Sequence, residues 1–270
     1  MTSTLLAWTM GLALLGTHSN AMAQAGVLPS FIPNLAGAAV GVTPRYAGAS
    51  DNVVGLVPGL RYQFGNTQRF IEWYGAAGDI NLLDSASWQL GPAMAMRLGR
   101  SDVDDEYVAR LPDIDTTVEA GLAASYTYTA RGSMPWRLRI GGTVMTNLGS
   151  NWHGADSTLY GSLWLPLSER MFLGMGGGMN WSSGSFINRY YGISANDAAA
   201  SGLSSYQTGG GMRQWYAWPA LVVRLSPRWY GGVAAFYQYL SDRAADSPIV
   251  AQRGNRQQWT YGVSIGYVWH

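Results

Sequence analysis

Few residues in this chain could carry out chemistry. No cysteine occurs among its 270 residues, which removes thiolate nucleophiles, thiolate metal sites and disulfides together. Past the N-terminal segment, two histidines remain, His153 and His270. His153 stands close to Ser150 and Asn151, the residue types a serine hydrolase uses as base, nucleophile and orienting group. Nearness in sequence is a weak reason to assemble them in space, and a polar loop histidine is the simpler reading. Two isolated histidines also fail every zinc-ligand spacing. The acids Asp102, Asp104, Asp105, Glu106, Asp113 and Asp115 crowd into one short stretch. Such density could hold calcium or magnesium shared with lipopolysaccharide. No EF-hand spacing is present, and a solvated loop is the simpler account.

A third set is Arg61, Arg97, Arg137, Arg139 and Arg224 with Glu119, each set between apolar neighbours on a run of alternating residues. The elements that carry them are strands. In 54–64, Val54, Leu56, Leu60, Tyr62 and Phe64 oppose Gly55, Gly59, Arg61 and Gln63. In 88–98, Trp88, Leu90, Met94, Met96 and Leu98 oppose Gln89, Gly91, Ala93, Ala95 and Arg97. The same period of two runs through 117–128, 136–147, 158–165, 171–181 and 259–270, and through 215–225 and 229–239 with blurred alternation. Residues 36–42 are a weaker candidate. Within 70–82 the phase changes between Ala77 and Ile80, which predicts a bulge near Gly78. Pro58, Pro92 and Pro219 fall inside strands, where a missing N–H is costly.

One face of these strands is apolar and aromatic at its ends, with Trp88, Tyr126, Tyr128, Trp136, Trp181, Trp259, Tyr267 and Trp269 placed as membrane-girdle aromatics. The other is Gly, Ser, Thr and Arg. Lipid outside and a polar lumen inside account for this pattern more simply than a soluble β-sandwich. Charged residues are 12% of the chain, about half the share in soluble domains, alongside 35 Gly, 12 Trp and 16 Tyr. Charges inside such a wall should face the lumen. Paired with one another they would plug it; lining water, they would make a weakly anion-selective pore. Gly174, Gly176 and Gly178 alternate with Met175 and Met179 and so thin an inner wall instead of cradling phosphate.

The fold expected is all-β: a transmembrane antiparallel up-and-down barrel. Eleven runs are countable and a single-chain bacterial barrel needs an even number, so 10 to 12 strands are expected. Short links at 84–87, 130–135, 166–169 and 226–227 suit periplasmic turns. Long links at 99–115, 182–211 and 241–255 then all fall on the extracellular side. In the second of these, Ser194 as N-cap, Asp197 in the first turn and Gly202 as terminator predict one short helix on the rim. All 17 basic residues are Arg and the net charge is +1, so nothing draws the chain to nucleic acid, and no cofactor is implied.

The N-terminus gives an address. An apolar run at 5–15 precedes Ala21-Met22-Ala23, an A-x-A site that divides a signal peptide, 1–23, from a barrel domain, 24–270, with cleavage between Ala23 and Gln24. The run is too short to span a bilayer as a helix.

Several segments resemble the MltA-interacting protein (MipA/OmpV) family of Gram-negative outer membranes. They are Gly41-Val42-Thr43-Pro44-Arg45-Tyr46-Ala47-Gly48 with Ser50-Asp51, Asp113-Ile114-Asp115-Thr116-Thr117-Val118-Glu119-Ala120-Gly121, Tyr191-Gly192-Ile193-Ser194 with Ala198 to Tyr206, and Asp246-Ser247-Pro248-Ile249-Val250 with Gln252-Arg253-Gly254. Departures from the family's usual pattern stand at Arg45, Pro112 and His270. The resemblance implies a cell outer-membrane scaffold, in contact with the lipid bilayer and lipopolysaccharide. It would bring a murein lytic transglycosylase to a penicillin-binding murein synthase without being an enzyme itself. No catalytic residue is implied. The alternatives are a small-solute pore or surface adhesin, and, behind them, a barrel hydrolase.

Overall fold

A computed structural model describes residues 34–131, 135–149 and 153–269. The expected signal segment with Ala23 and Gln24, and Ser150, Asn151 and His270, lie outside them. Twelve antiparallel strands close into a barrel, each paired with its sequence neighbours and the first with the last. They are β1 Asn34–Pro44, β2 Asn52–Gln63, β3 Phe70–Tyr74, β4 Ala77–Asn81, β5 Trp88–Arg97, β6 Thr117–Thr129, β7 Arg137–Asn147, β8 Ala155–Pro166, β9 Met171–Ser182, β10 Gly211–Arg224, β11 Trp229–Leu240 and β12 Gln257–Trp269.

The alternation becomes an inside and an outside. Val54, Leu122 and Val144 are 72%, 62% and 60% exposed while their chain neighbours Gly55 and Ala123 are buried. A belt of large apolar side chains turned outward from every full-length strand is the surface of a barrel solvated by hydrocarbon. Aromatic pairs bound it. Near the short turns, Trp88 meets Tyr126 at 4.9 Å, Tyr128 meets Trp136 at 5.3 Å, and Tyr267 lies between Trp229 and Trp269 at 5.2 and 6.4 Å. Near the long loops, Trp259 meets Tyr237 at 4.7 Å and Trp181 is outward and exposed.

The expected bulge near Gly78 is instead a hairpin. β3 and β4 are five residues each, joined at Gly75 and Ala76, with Gly75 at φ 65°. This is the strand that makes the count even, and residues 36–42 also span, within β1. The hairpin is short: β2 pairs with β3 only from Gly59 to Gln63, so 52–57 have β1 on one side and, among the described residues, no strand on the other. The three prolines sit where ladders stop. Pro58 lies at the hairpin tip, Pro92 just past the last β4–β5 pair, and Pro219 in the gap of the β10–β11 register between Ala217 and Ala220. A missing donor costs little at such places.

At the long-loop end the connections fold into a cap: α1 Gly184–Tyr191, α2 Ala195–Ser201, α3 Asp242–Ala245, α4 Pro248–Ala251 and a 3-10 turn at Val108–Arg110. α2 is the helix expected from Ser194, which forms a capping box with Asp197, and Gly202 closes it at φ 80°. The other helices were not expected. Two clusters fill the cap: Tyr46, Ala49, Val108, Leu111, Ile193, Leu203 and Ile249 in one, and Ile187, Tyr191, Leu240, Ala244, Ala245 and Val250 in the other.

Candidate functional site

The lumen is layered. At the short-turn end Leu35, Trp164, Phe172, Val222, Tyr230 and Val268 pack into an apolar plug on the β8 to β1 side. The glycines of β9 serve this packing. A Cβ at Gly174, Gly176 or Gly178 would come within 2.6–2.7 Å of the rings of Trp164, Trp218 and Tyr216, which lie over them. Arg224 ends β10 at this level beside Tyr230, apart from the other inward arginines.

Beside the plug, at its level, is a charged layer on the β2 to β7 side: Arg61 pairs with Leu35 and Arg137 with Trp164. Glu72 accepts from Arg139 Nη1 at 2.9 Å and lies 3.6 Å from Arg61 Nε. Arg139 Nε also donates to Ser125 Oγ at 3.0 Å, and Arg61 stacks over Phe70 at 4.1 Å. Arg137 is buried beside them, its Nε 3.4 Å from Thr129 Oγ1. Glu72 was not singled out in the sequence, because it stands in the segment whose phase change hid two strands.

Higher again, Arg97 donates to Glu119 at 2.8 Å and reaches Asp156 at 3.4 Å, and Asp156 also faces Arg213 at 3.3 Å. Arg213 and Gln214 are consecutive yet both inside, because a register shift between Met212 and Gln214 turns both inward. Both guanidinium groups, Arg97 and Arg213, lie 5.1 Å from the ring of Phe186 on α1. The cap is thereby seated on the upper charged layer.

The acidic stretch ties the cap together. Arg45 donates to Asp104 at 2.7 Å and also to Asp51. Asp105 accepts from Arg253 at 2.8 Å and from the backbone N–H of Tyr107 and Val108. Burial alone would raise the Asp105 carboxyl, but Arg253 and those two N–H groups hold it below the ordinary aspartate range. Gln258 on β12 binds both Gly48 N and Ala49 O, at 3.0 and 2.9 Å. Beneath the cap, and running down beside the plug, remains a cavity of about 440 Å³. It is lined from Gln68, Ser85 and Thr129 at the short-turn end to Arg45, Met96 and Leu98 at the other, with Asp79, Tyr74 and Tyr160 between.

The sequence matches the family profile described as "MltA-interacting protein MipA" over residues 36–269, from the first strand to the last. The chain belongs to the MltA-interacting protein MipA family. It is 27% identical over 239 residues to the MltA-interacting proteins of Escherichia coli (strain K12) and Shigella flexneri, covering 85% of this chain and 87% of each relative. Among solved structures it is similar to an outer-membrane channel from Pseudomonas putida F1, with TM-score 0.48 and 12% identity over 93% of this chain and all of that one. It is also similar to the NanC porin, with TM-score 0.46 and 8% identity over 86% and 100%.

In this MipA-family barrel, the histidine considered for hydrolysis, His153, lies just before β8, where its carbonyl accepts from Ser185 Oγ of α1. Its neighbours Ser150 and Asn151 are outside the described residues. Among the described residues no group of three or more His, Asp or Glu side chains is placed to hold a metal.

Proposed function

We propose that this protein is a scaffold of the Gram-negative outer membrane. Its short turns face the periplasm, where it brings a murein lytic transglycosylase together with a penicillin-binding murein synthase. The observation that carries this reading is membership of the MipA family across the whole barrel, whose E. coli relative is named for interaction with MltA. The lumen is in keeping with it, since both charged layers are cross-paired and the cap sits on the upper one. In this reading 1–23 is removed after Ala23, the segment from Gln24 joins the periplasmic turns as partner surface, and the capped loops meet lipopolysaccharide. Its work is binding, not catalysis.

Retention of a purified lytic transglycosylase on the immobilised barrel in mild detergent, and of a penicillin-binding synthase through it, is the expected result. Loss of the transglycosylase under those conditions refutes the scaffold. The second reading, a small-solute pore, is favoured by the cavity that runs most of the barrel's height. Planar-bilayer recordings separate the two: a scaffold is silent, and steady single-channel steps support the pore.

A further inference from the structure

Among the described residues the barrel wall has a window. Its floor is the β3–β4 hairpin, which ends at Gly75 and Ala76. One side is β2 from Asn52 to Val57, six residues or roughly 20 Å of strand. The other is the stretch Met96 to Gly99, above the last bond to the hairpin, Met96 N to Ala76 O at 2.6 Å. Its lintel is the contact between loops 45–51 and 98–116, made by Arg45 and Asp104 at 2.7 Å and by Tyr46 packed with Val108 and Leu111.

The window opens at membrane depth. The register runs from Tyr261 of the outer aromatic face through Val42 to Val54, and Val54 and Leu56 are outward and 72% and 59% exposed. Gly75 N donates to Pro58 O, so the backbone groups of even-numbered β2 residues point toward β3. Those of Val54 and Leu56 therefore point into the window, with no ladder partner there among the described residues. A bare strand edge does not persist against hydrocarbon unless it borders water, because each unmet N–H or C=O costs several kcal/mol there. The lumen cavity reaches this edge, for its lining includes Ala76, Ala77, Met96 and Leu98, and at about 440 Å³ it has room for the water such an edge requires.

Two residues below the floor on β2 lies Arg61, in the charged layer where Arg61, Arg137 and Arg139 outnumber Glu72 and Asp79. An apolar rim facing lipid thus opens onto a cavity with an excess of positive charge, which Tyr74, Trp164 and Trp218 also line. We propose that the window is a lateral port by which a single-chain amphiphile with an anionic head, of the long-chain carboxylate class, passes between the adjoining leaflet and the lumen. Its head is drawn to the arginine layer and its chain leaves between β2 and Met96.

The test uses the full-length barrel in nanodiscs and hexadecanoic acid carrying a diazirine near its far end. Photolabelling mapped by mass spectrometry is expected to favour 52–58, 74–78 and 96–98 over 140–145 by at least about fivefold. Excess hexadecanoate should suppress it and hexadecyltrimethylammonium should not. Ala76→Trp, which fills the floor, is expected to abolish the preference. Even labelling over the outer belt, equal competition by the ammonium, or unchanged labelling in folded Ala76→Trp each overturns the port. Hydrogen exchange on the unmodified protein tests the wet edge without any variant. About half the amides of 52–57 are expected to exchange within minutes, and protection equal to that of 137–147 overturns the proposal. Neither readout depends on the transglycosylase.

Discussion

Removing the charge of Glu72 tests whether the lumen is held by its ion pairs. Glu72 is 6% exposed and serves two guanidinium groups, Arg139 at 2.9 Å and Arg61 at 3.6 Å. Breaking a buried pair by deleting one partner costs about 3–5 kcal/mol, chiefly because the remaining charge is stranded. Glu72→Gln keeps the shape and one acceptor, so the loss is that of a charged hydrogen bond, about 2–3 kcal/mol. With a urea slope of about 2 kcal/mol/M, the unfolding midpoint of the refolded barrel should fall by roughly 1–1.5 M. Glu72→Met should cost more. In the double variant Glu72→Met/Arg139→Met, the layer returns from Arg61, Arg137 and Arg139 against Asp79 alone to two arginines against one acid. At least half the loss should be regained, a coupling of the size seen for residues sharing one network. If Glu72→Gln and Glu72→Met both unfold within about 0.5 kcal/mol of the parent, the layer is solvated and the reasoning fails.

Other expectations follow from the belt and the cap. Leu122→Arg, at mid-height on the lipid face, should destabilise the barrel in vesicles by about 2–4 kcal/mol, whereas the lumen-side neighbour Ala123→Ser should be near neutral in the same titration. Asp105 has a folded-state pKa below its unfolded value, so its contribution is present above the ordinary aspartate range and is lost as pH falls through the folded value. Protection of 105–111 against hydrogen exchange, taken relative to the intrinsic rate at each pH, should therefore fall below about pH 4, and Asp105→Asn should show the reduced protection already at pH 7. Gly202→Ala, forced to hold φ 80°, and Ser194→Ala, deprived of its cap, should each loosen α2 by about 1 kcal/mol, read as faster limited proteolysis in 195–210.

The strands were legible wherever one face met lipid along a full span. The outward Trp259, Tyr261, Val263 and Ile265 of β12 and the outward row of β5 show in the bare sequence as a strict period of two. The α2 helix was legible because its cap residues, Ser194 and Gly202, lie only eight positions apart. The β3–β4 hairpin was not, since Gly75-Ala76-Ala77-Gly78 lacks the Asn-Gly or Asp-Gly signature of a tight turn and one phase change fits a bulge equally well. The inward placement of Arg61, Arg97, Glu119, Arg137 and Arg139 follows from alternation, but their partners do not. Glu72 lies 67 positions from Arg139, and Asp156 lies 59 from Arg97, so only closure of the sheet brings them together. Arg213 escaped notice because a register shift breaks the alternation at that point.

The cap clusters draw Tyr46, Val108, Ile193 and Ile249 from four separate connections. The cluster is complete only once β1 has zipped to β12, since Tyr46 follows the first strand and Ile249 precedes the last. Burial of this small core is therefore a late event in biogenesis, and it rewards only the correctly seamed cylinder. A barrel caught with its seam ajar would display a tangle of unsheathed greasy loops to the cell's quality-control proteases, while the finished molecule offers them a compact crown.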